Sequence, residues 1–171
     1  MEEDKDILQE EMLGGFDAAD KAFDFIDAEE GTALICEEDP QMKSALNAFL
    51  NELGYHVAEA PSSRVALKRM RFHVYDVVFL NEQFDASSPD DNKVLAYLRS
   101  LPMDVRRQMF IALLSGRYQT MDNMAAFYNS VNLVINPTNT MEIKKILERG
   151  LESQAGFYRV FYESQRKAGK A

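Results

Sequence analysis

Tyr75-Asp76-Val77-Val78-Phe79-Leu80-Asn81 decides the fold of this chain. Four consecutive apolar residues, Val77 to Leu80, three of them β-branched or aromatic, read as a strand buried on both faces. The run ends on an amide, Asn81, followed by Glu82, Gln83 and Phe84. In an open α/β sheet the chemistry sits just past the carboxyl ends of such strands. Position 81 is therefore placed to act, and an asparagine acts differently from an aspartate.

Reading outward from this strand, apolar runs alternate with helical patterns from Thr32 to Leu151. Thr32 to Cys36 forms a first strand. Asp39-Pro40 opens a helix, with Asp39 as N-cap and proline at the first helical position. Met42, Ala45, Leu46, Phe49, Leu50 and Leu53 mark its apolar stripe, and Gly54 closes it. Tyr55 to Glu59 forms a second strand. Ser62 or Ser63 caps a helix carrying Val65, Ala66, Leu67 and Met70, and Tyr75 to Leu80 is the third strand. A polar loop leads to a helix with Val94, Leu95, Tyr97 and Leu98, stopped near Leu101-Pro102. Met109 to Leu114 is the fourth strand, Met121, Met124, Ala125 and Tyr128 mark a helix, and Val131 to Ile135 is the fifth strand. Met141, Ile143, Ile146, Leu147 and Leu151 mark the fifth helix. Five strands alternating with five helices predict a parallel sheet covered on both faces, an α/β three-layer sandwich. In the strand order 2-1-3-4-5, strands one and three flank the switch point, so the ends that matter are Cys36 to Asp39 and Leu80 to Asn81.

Composition sets outer bounds. With 171 residues, 46% hydrophobic and 27% charged, the chain suits one soluble globular domain with extensions. No apolar run nears the roughly 20 residues of a membrane span, and the acidic start (Glu2, Glu3, Asp4, Asp6) is unlike a secretory leader. A cytoplasmic protein with no membrane partner is expected. A net charge of −9 argues against phosphate-driven nucleic-acid binding. The basic clusters Lys68/Arg69/Arg71 and Arg106/Arg107 read as solvated helix faces. The single cysteine, Cys36, lies inside a strand pattern and reads as a small buried hydrophobe.

Three regions are expected. Residues 1–30 form an acidic extension, helical or disordered, with apolar spacing at Ile7, Leu8, Met12, Leu13 and again at Phe16, Ala19, Phe23 and Ile26. Residues 31–150 form the domain. Residues 151–171 form an aromatic helix and tail, in which Phe157/Phe161 and Tyr158/Tyr162 are i,i+4 pairs. That segment either packs on its own domain or serves as a docking surface, since such residues are enriched in interface cores. The roughly twenty residues after the fifth helix are too few for a helix-turn-helix module.

Glu37-Glu38-Asp39-Pro40 follows strand one, Asn81 follows strand three, Ser115-Gly116 follows strand four and Asn136-Pro137 follows strand five. In order and spacing this resembles the receiver domain of bacterial two-component response regulators, across about residues 32–150. That family carries an acidic pair, a phosphoacceptor Asp, Ser/Thr-Ala and Lys-Pro at the corresponding strand ends. The resemblance implies a flavodoxin-like receiver fold and places Glu37 and Glu38 at the Mg²⁺-holding acidic pair. It also implies that Asn81 stands at the phosphoacceptor position, Ser115 at the hydroxyl that meets the phosphoryl group, Asn136 at the lysine position and Leu133 at an aromatic switch position.

Three departures alter the implied chemistry. An amide is not the carboxylate nucleophile that acyl phosphate formation needs. Loss of the lysine removes the cation that offsets a phosphoryl charge of about −1.5 to −2. Loss of the aromatic removes a readout. Glu37 and Glu38 retain the oxygen chemistry of a weak Mg²⁺ site; otherwise they are a leftover acidic rim, and no cofactor is required. The expected function is a non-enzymatic, pseudo-receiver interaction module acting without aspartyl phosphorylation. The alternative is a phosphorelay receiver using a substitute acid, for which Asp85 is the nearest loop carboxylate and Glu82 points the wrong way. His56 and His73 each stand alone, and no nucleophile–base pair supports an enzyme. The expected partner is a signalling protein or a second copy of the chain. It would dock on the face after strand four, with Tyr118, Met121, Phe127 and Tyr128, or on Phe157, Tyr158, Phe161 and Tyr162.

Overall fold

The central strand runs Val77–Asn81 (β3), buried along its first four residues as its apolar run requires. It was obtained in a computed structural model that describes residues 30–169. On one side β3 pairs in parallel with Thr32–Cys36 (β1), and β1 pairs with His56–Glu59 (β2). On the other side it pairs with Phe110–Leu114 (β4), followed by Leu133–Ile135 (β5). The sheet order is β2-β1-β3-β4-β5, all parallel, as the sequence predicts. The extension at residues 1–29 lies outside the described residues.

Alternate side chains of each strand feed two apolar layers. Leu34, Cys36, Val78, Leu80, Ile111 and Leu113 point to one face. There they meet the helices Ser63–Phe72 (α2), Lys93–Ser100 (α3) and Asn123–Asn129 (α5) through Ala66, Met70, Val94, Leu98, Ala125 and Ala126. Ala33, Ile35, Val77, Phe79, Ala112 and Ile135 point to the other. They meet Pro40–Glu52 (α1) and Ile143–Lys167 (α6) through Leu46, Phe49, Leu50, Ile146 and Leu147. A one-turn helix, Met103–Arg106 (α4), leads into β4. Cys36 is fully buried as read, and desolvation pushes its thiol up to about 12.

The capping signals hold. Asp39 accepts from Gln41 N at 2.9 Å with Pro40 at the first helical position, and Ser62 caps α2. Gly54 takes φ +86 after α1, a backbone that other residues rarely adopt.

Two helix markers read from the sequence fall outside their helices. Met121 precedes α5, which seats Ala125 and Ala126 on the sheet and leaves Met124 and Tyr128 exposed. Small side chains let this short helix approach the sheet closely, which leaves the large ones outside. Met141 likewise stands in the 3₁₀ segment Pro137–Glu142, almost wholly exposed.

The C-terminal helical extension is present, continuous with the helix after β5. α6 runs unbroken for 25 residues through Gly150. Gly150 is a point of contact: a Cβ there would lie 2.9 Å from Phe110 Cζ and 3.0 Å from Leu133 Cδ2. Residues after Gly150 therefore project past the starts of β4 and β5, away from the carboxyl ends of the strands.

Candidate functional site

The loops after β1, β3 and β4 meet at the carboxyl edge of the sheet around a cleft of about 500 Å³. Its walls include Glu37, Asn81, Glu82, Gly116 and Arg117. Glu37 is the first residue past β1 and only 3% exposed. One of its oxygens accepts the backbone N–H groups of Glu38 (2.7 Å) and Asp39 (3.0 Å). Asn81 Nδ2 donates to both Glu37 oxygens, at 3.0 and 3.3 Å. The other end of the amide, Oδ1, accepts from Gln83 N at 2.9 Å. Asn81 thus presents a donor to the buried carboxylate, where an aspartate would present a second negative charge.

The two acids of the pair part company. Glu37 turns inward to Asn81, whereas Glu38 accepts from Asp85 N at 2.9 Å and ties down the loop after β3. Among the described residues, no three His, Cys, Asp or Glu side chains converge on a point suited to a metal ion. Glu37 Oε1 accepts three N–H groups and Oε2 one, and Asn81 turns its amide nitrogen rather than its carbonyl to this acid, so a divalent cation would have to displace Asn81.

Ser115 and Asn136 reach neither Asn81 nor Glu37. Ser115 donates to Glu82 Oε2 at 2.7 Å and accepts from Arg117 N at 3.2 Å. Asn136 spends its amide on the neighbouring loops. Its Nδ2 donates to Tyr118 O at 2.7 Å, and its Oδ1 caps the turn at Thr138 N at 3.0 Å. Leu133 is buried in the layer under α6.

Sequence reasoning set Glu82 aside as pointing the wrong way for a substitute acid and gave it no other role. It does point away from Glu37, but into the β4 side of the same cleft, where it is 3% exposed. It accepts from Ser115 Oγ, Gly116 N (3.1 Å) and Arg117 Nε (3.0 Å). Arg117 also bonds Asp90 Oδ1 at 3.0 Å. Desolvation opposes the Arg117 charge, but its bonds to Asp90 and Glu82 outweigh that and hold its pKa up. The signal was a basic residue two positions past Ser115. Asn92 was also missed: its Nδ2 donates to the carbonyls of Asn81 (3.2 Å) and Glu82 (2.9 Å) while its Oδ1 caps α3. Asp85 faces α2, where its Oδ2 accepts from Ser63 N (2.8 Å) and Ser63 Oγ (2.7 Å), and these bonds lower its pKa.

The surface residues divide into two sets. On and before α5, Phe127 (81% exposed), Tyr128 and Met124 are open to solvent, Met121 is partly so, and Tyr118 is half-buried. At the far end of α6, Phe157 and Val160 face solvent, while Tyr158 and Phe161 are half-buried. Tyr162 Oη donates to Arg107 O at 3.2 Å, and the Arg107 guanidinium lies 5.0 Å from the Phe161 ring centre. One side of the aromatic segment thus packs on its own domain. No helix among the described residues is long and apolar enough to cross a membrane.

No family model matches the chain, and no curated protein matches it in sequence. Solved structures do. The chemotaxis response regulator CheY4 of Vibrio cholerae is 16% identical over 71% of this chain and 98% of its own, with a TM-score of 0.55. A CheY-like receiver domain protein from Methanospirillum hungatei is 15% identical over 75% and 98%, with a TM-score of 0.55. The receiver domain of a Pseudomonas aeruginosa sensor histidine kinase, solved with magnesium in its active-site cleft, is 19% identical over 72% and 98%, with a TM-score of 0.53. The chain therefore has the receiver fold of response regulators.

Proposed function

We propose that this chain is a signalling module of receiver fold that works by binding a protein partner and without aspartyl phosphorylation. The observation that carries the reading is the bond from Asn81 Nδ2 to the buried carboxylate of Glu37. An amide at the third strand's end cannot attack a phosphoryl donor, and here it satisfies the acid that a metal would otherwise neutralise. Ser115 is bonded to Glu82 and Asn136 to Tyr118, so the groups implied for phosphoryl recognition are engaged in structure. A divalent cation would have to displace the Asn81 amide, so none is required and any binding is weak. The use of Asp85 as a substitute acid gains no support, because its carboxylate is held by Ser63.

The exposed aromatic and methionine side chains of α5 are the partner surface this reading favours, with Phe157 and Val160 as a second patch. Incubation of the native chain with a small-molecule phosphodonor and Mg²⁺, followed by intact mass measurement, tests the central claim. The unmodified mass is expected. A stable adduct of one phosphoryl group, lost in the Asp85→Ala variant, would establish the substitute-acid alternative instead.

A further inference from the structure

Glu82 is a buried acid whose backbone is fixed from two sides. Its N–H donates to Leu114 O at 3.0 Å, continuing the β3–β4 ladder, and its carbonyl accepts from Asn92 Nδ2 at 2.9 Å. The side chain is therefore aimed at the loop after β4. A buried carboxylate persists only where donors replace its water. Three consecutive residues supply them here. The Ser115 hydroxyl and Arg117 Nε meet Oε2, and the Gly116 N–H meets Oε1. The Ser115 oxygen itself accepts from Arg117 N, which leaves its proton for the acid. A hydroxyl, a backbone amide and a guanidinium converging on one place are the donor set of a small oxyanion.

The loop that supplies these donors leads into α5. The Arg117 guanidinium lies 5.5 Å from the Tyr118 ring centre, and Tyr118 O accepts from Asn136 Nδ2. Met121 N–H donates to Val134 O at 2.8 Å, and Asp122 then caps α5 through the N–H groups of Met124 and Ala125. One end of the loop is thus pinned by Glu82 and the other by β5 and the residue after it. The exposed Met124, Phe127 and Tyr128 follow directly.

We infer that residues 115–117 form an anion cradle which the chain fills with its own Glu82 carboxylate, and that the filled cradle fixes the α5 surface without any outside ligand. The acid is tethered, so its effective concentration exceeds that of a free carboxylate or phosphate. Arg117 is a positioning residue: it supplies the charge, and its second bond, to Asp90, holds the guanidinium at the cradle. The inference rests on the reading above, in which α5 meets the partner and no phosphoryl group arrives, and it adds what holds that face in place.

Alanine at position 82 removes a group the size of acetate, so the full-length Glu82→Ala chain can be refilled. Its hydrogen exchange is expected to rise at least about tenfold at Gly116, Arg117 and along α5, as one charged hydrogen-bonding group is lost. Acetate at about 0.1 M should recover about half of that change or more, because an anion that binds only the closed form shifts the opening equilibrium back. Acetamide, which has the shape without the charge, should recover none of it. Acetate should also fail in the Glu82→Ala, Arg117→Met double variant. If Glu82→Ala does not fold, Glu82→Gln and Arg117→Met decide the matter: each breaks the same ion pair, so their effects on α5 exchange should be non-additive. No rescue by acetate, equal rescue by acetamide, rescue that survives loss of Arg117, loosening confined to residues 115–117, or additive effects would each overturn the inference. The intact-mass measurement decides the earlier reading separately, so an unmodified native chain with any of these results sinks only the cradle.

Discussion

At the scale of the residue, the amide of Asn81 sets the chemistry of the cleft. Its Nδ2 lies 3.0 Å from a Glu37 oxygen, so Asn81→Asp would place two carboxylates in contact where one is buried. Loss of a hydrogen bond to a charged group, together with the new repulsion, is expected to cost about 2–3 kcal/mol. Millimolar Mg²⁺ should restore more stability to this variant than it adds to the native chain, and thermal melts with and without the ion check both halves. A second prediction concerns Asp85, whose pKa the Ser63 hydroxyl and backbone N–H lower below the usual aspartate range. A depressed carboxyl stabilises the fold above the unfolded-state value, and that contribution disappears as pH falls through the folded value. Ser63→Ala should move the Asp85 titration upward, as read by carboxyl-carbon NMR, and flatten this part of the acid limb. Positions 37 and 81 were legible in the sequence because strand ends announce themselves. Glu82 was not, because its role depends on Ser115 and Arg117, more than thirty residues away in the chain.

Among the elements, α6 carries a contrast that can be measured. Its two glycines share a helix but differ in surroundings. A Cβ at Gly150 meets Phe110 and Leu133, whereas a Cβ at Gly156 meets nothing within 4 Å. Gly156→Ala should stabilise the protein by about 1 kcal/mol through helix propensity. Gly150→Ala gains the same term and loses it again to overpacking of about 1–3 kcal/mol, for a net destabilisation of about 1 kcal/mol. Chemical denaturation of the two variants side by side tests the sign difference. The sequence showed the strands and caps because burial on both faces and turn chemistry leave local marks. It did not show which side of α5 faces the sheet. Apolar residues occur all around that helix, and Ala125 and Ala126 won the inner face by size.

Across the whole molecule, the cleft and the aromatic end of α6 lie at opposite edges of the sheet, and α5 stands on one flank. Met124 and Phe127 touch partner rather than core in the reading offered above. Met124→Ser with Phe127→Ser should therefore leave the unfolding free energy within about 0.5 kcal/mol, as for surface positions generally. The same pair should weaken binding to the physiological partner at least tenfold in a pull-down or titration. An equal loss of stability would show the residues to be structural. The sequence by itself determined the α/β class, the strand order, the bounds of most elements and the residues at each strand end. These rest on local periodicity and on the few ways in which right-handed crossovers can be wound. Only the tertiary structure decided what those strand-end residues do. Asn81 bonds Glu37, Ser115 bonds Glu82 and Asn136 bonds Tyr118, because a hydrogen bond is settled by the distance and direction between atoms that the fold, and not the chain order, brings together.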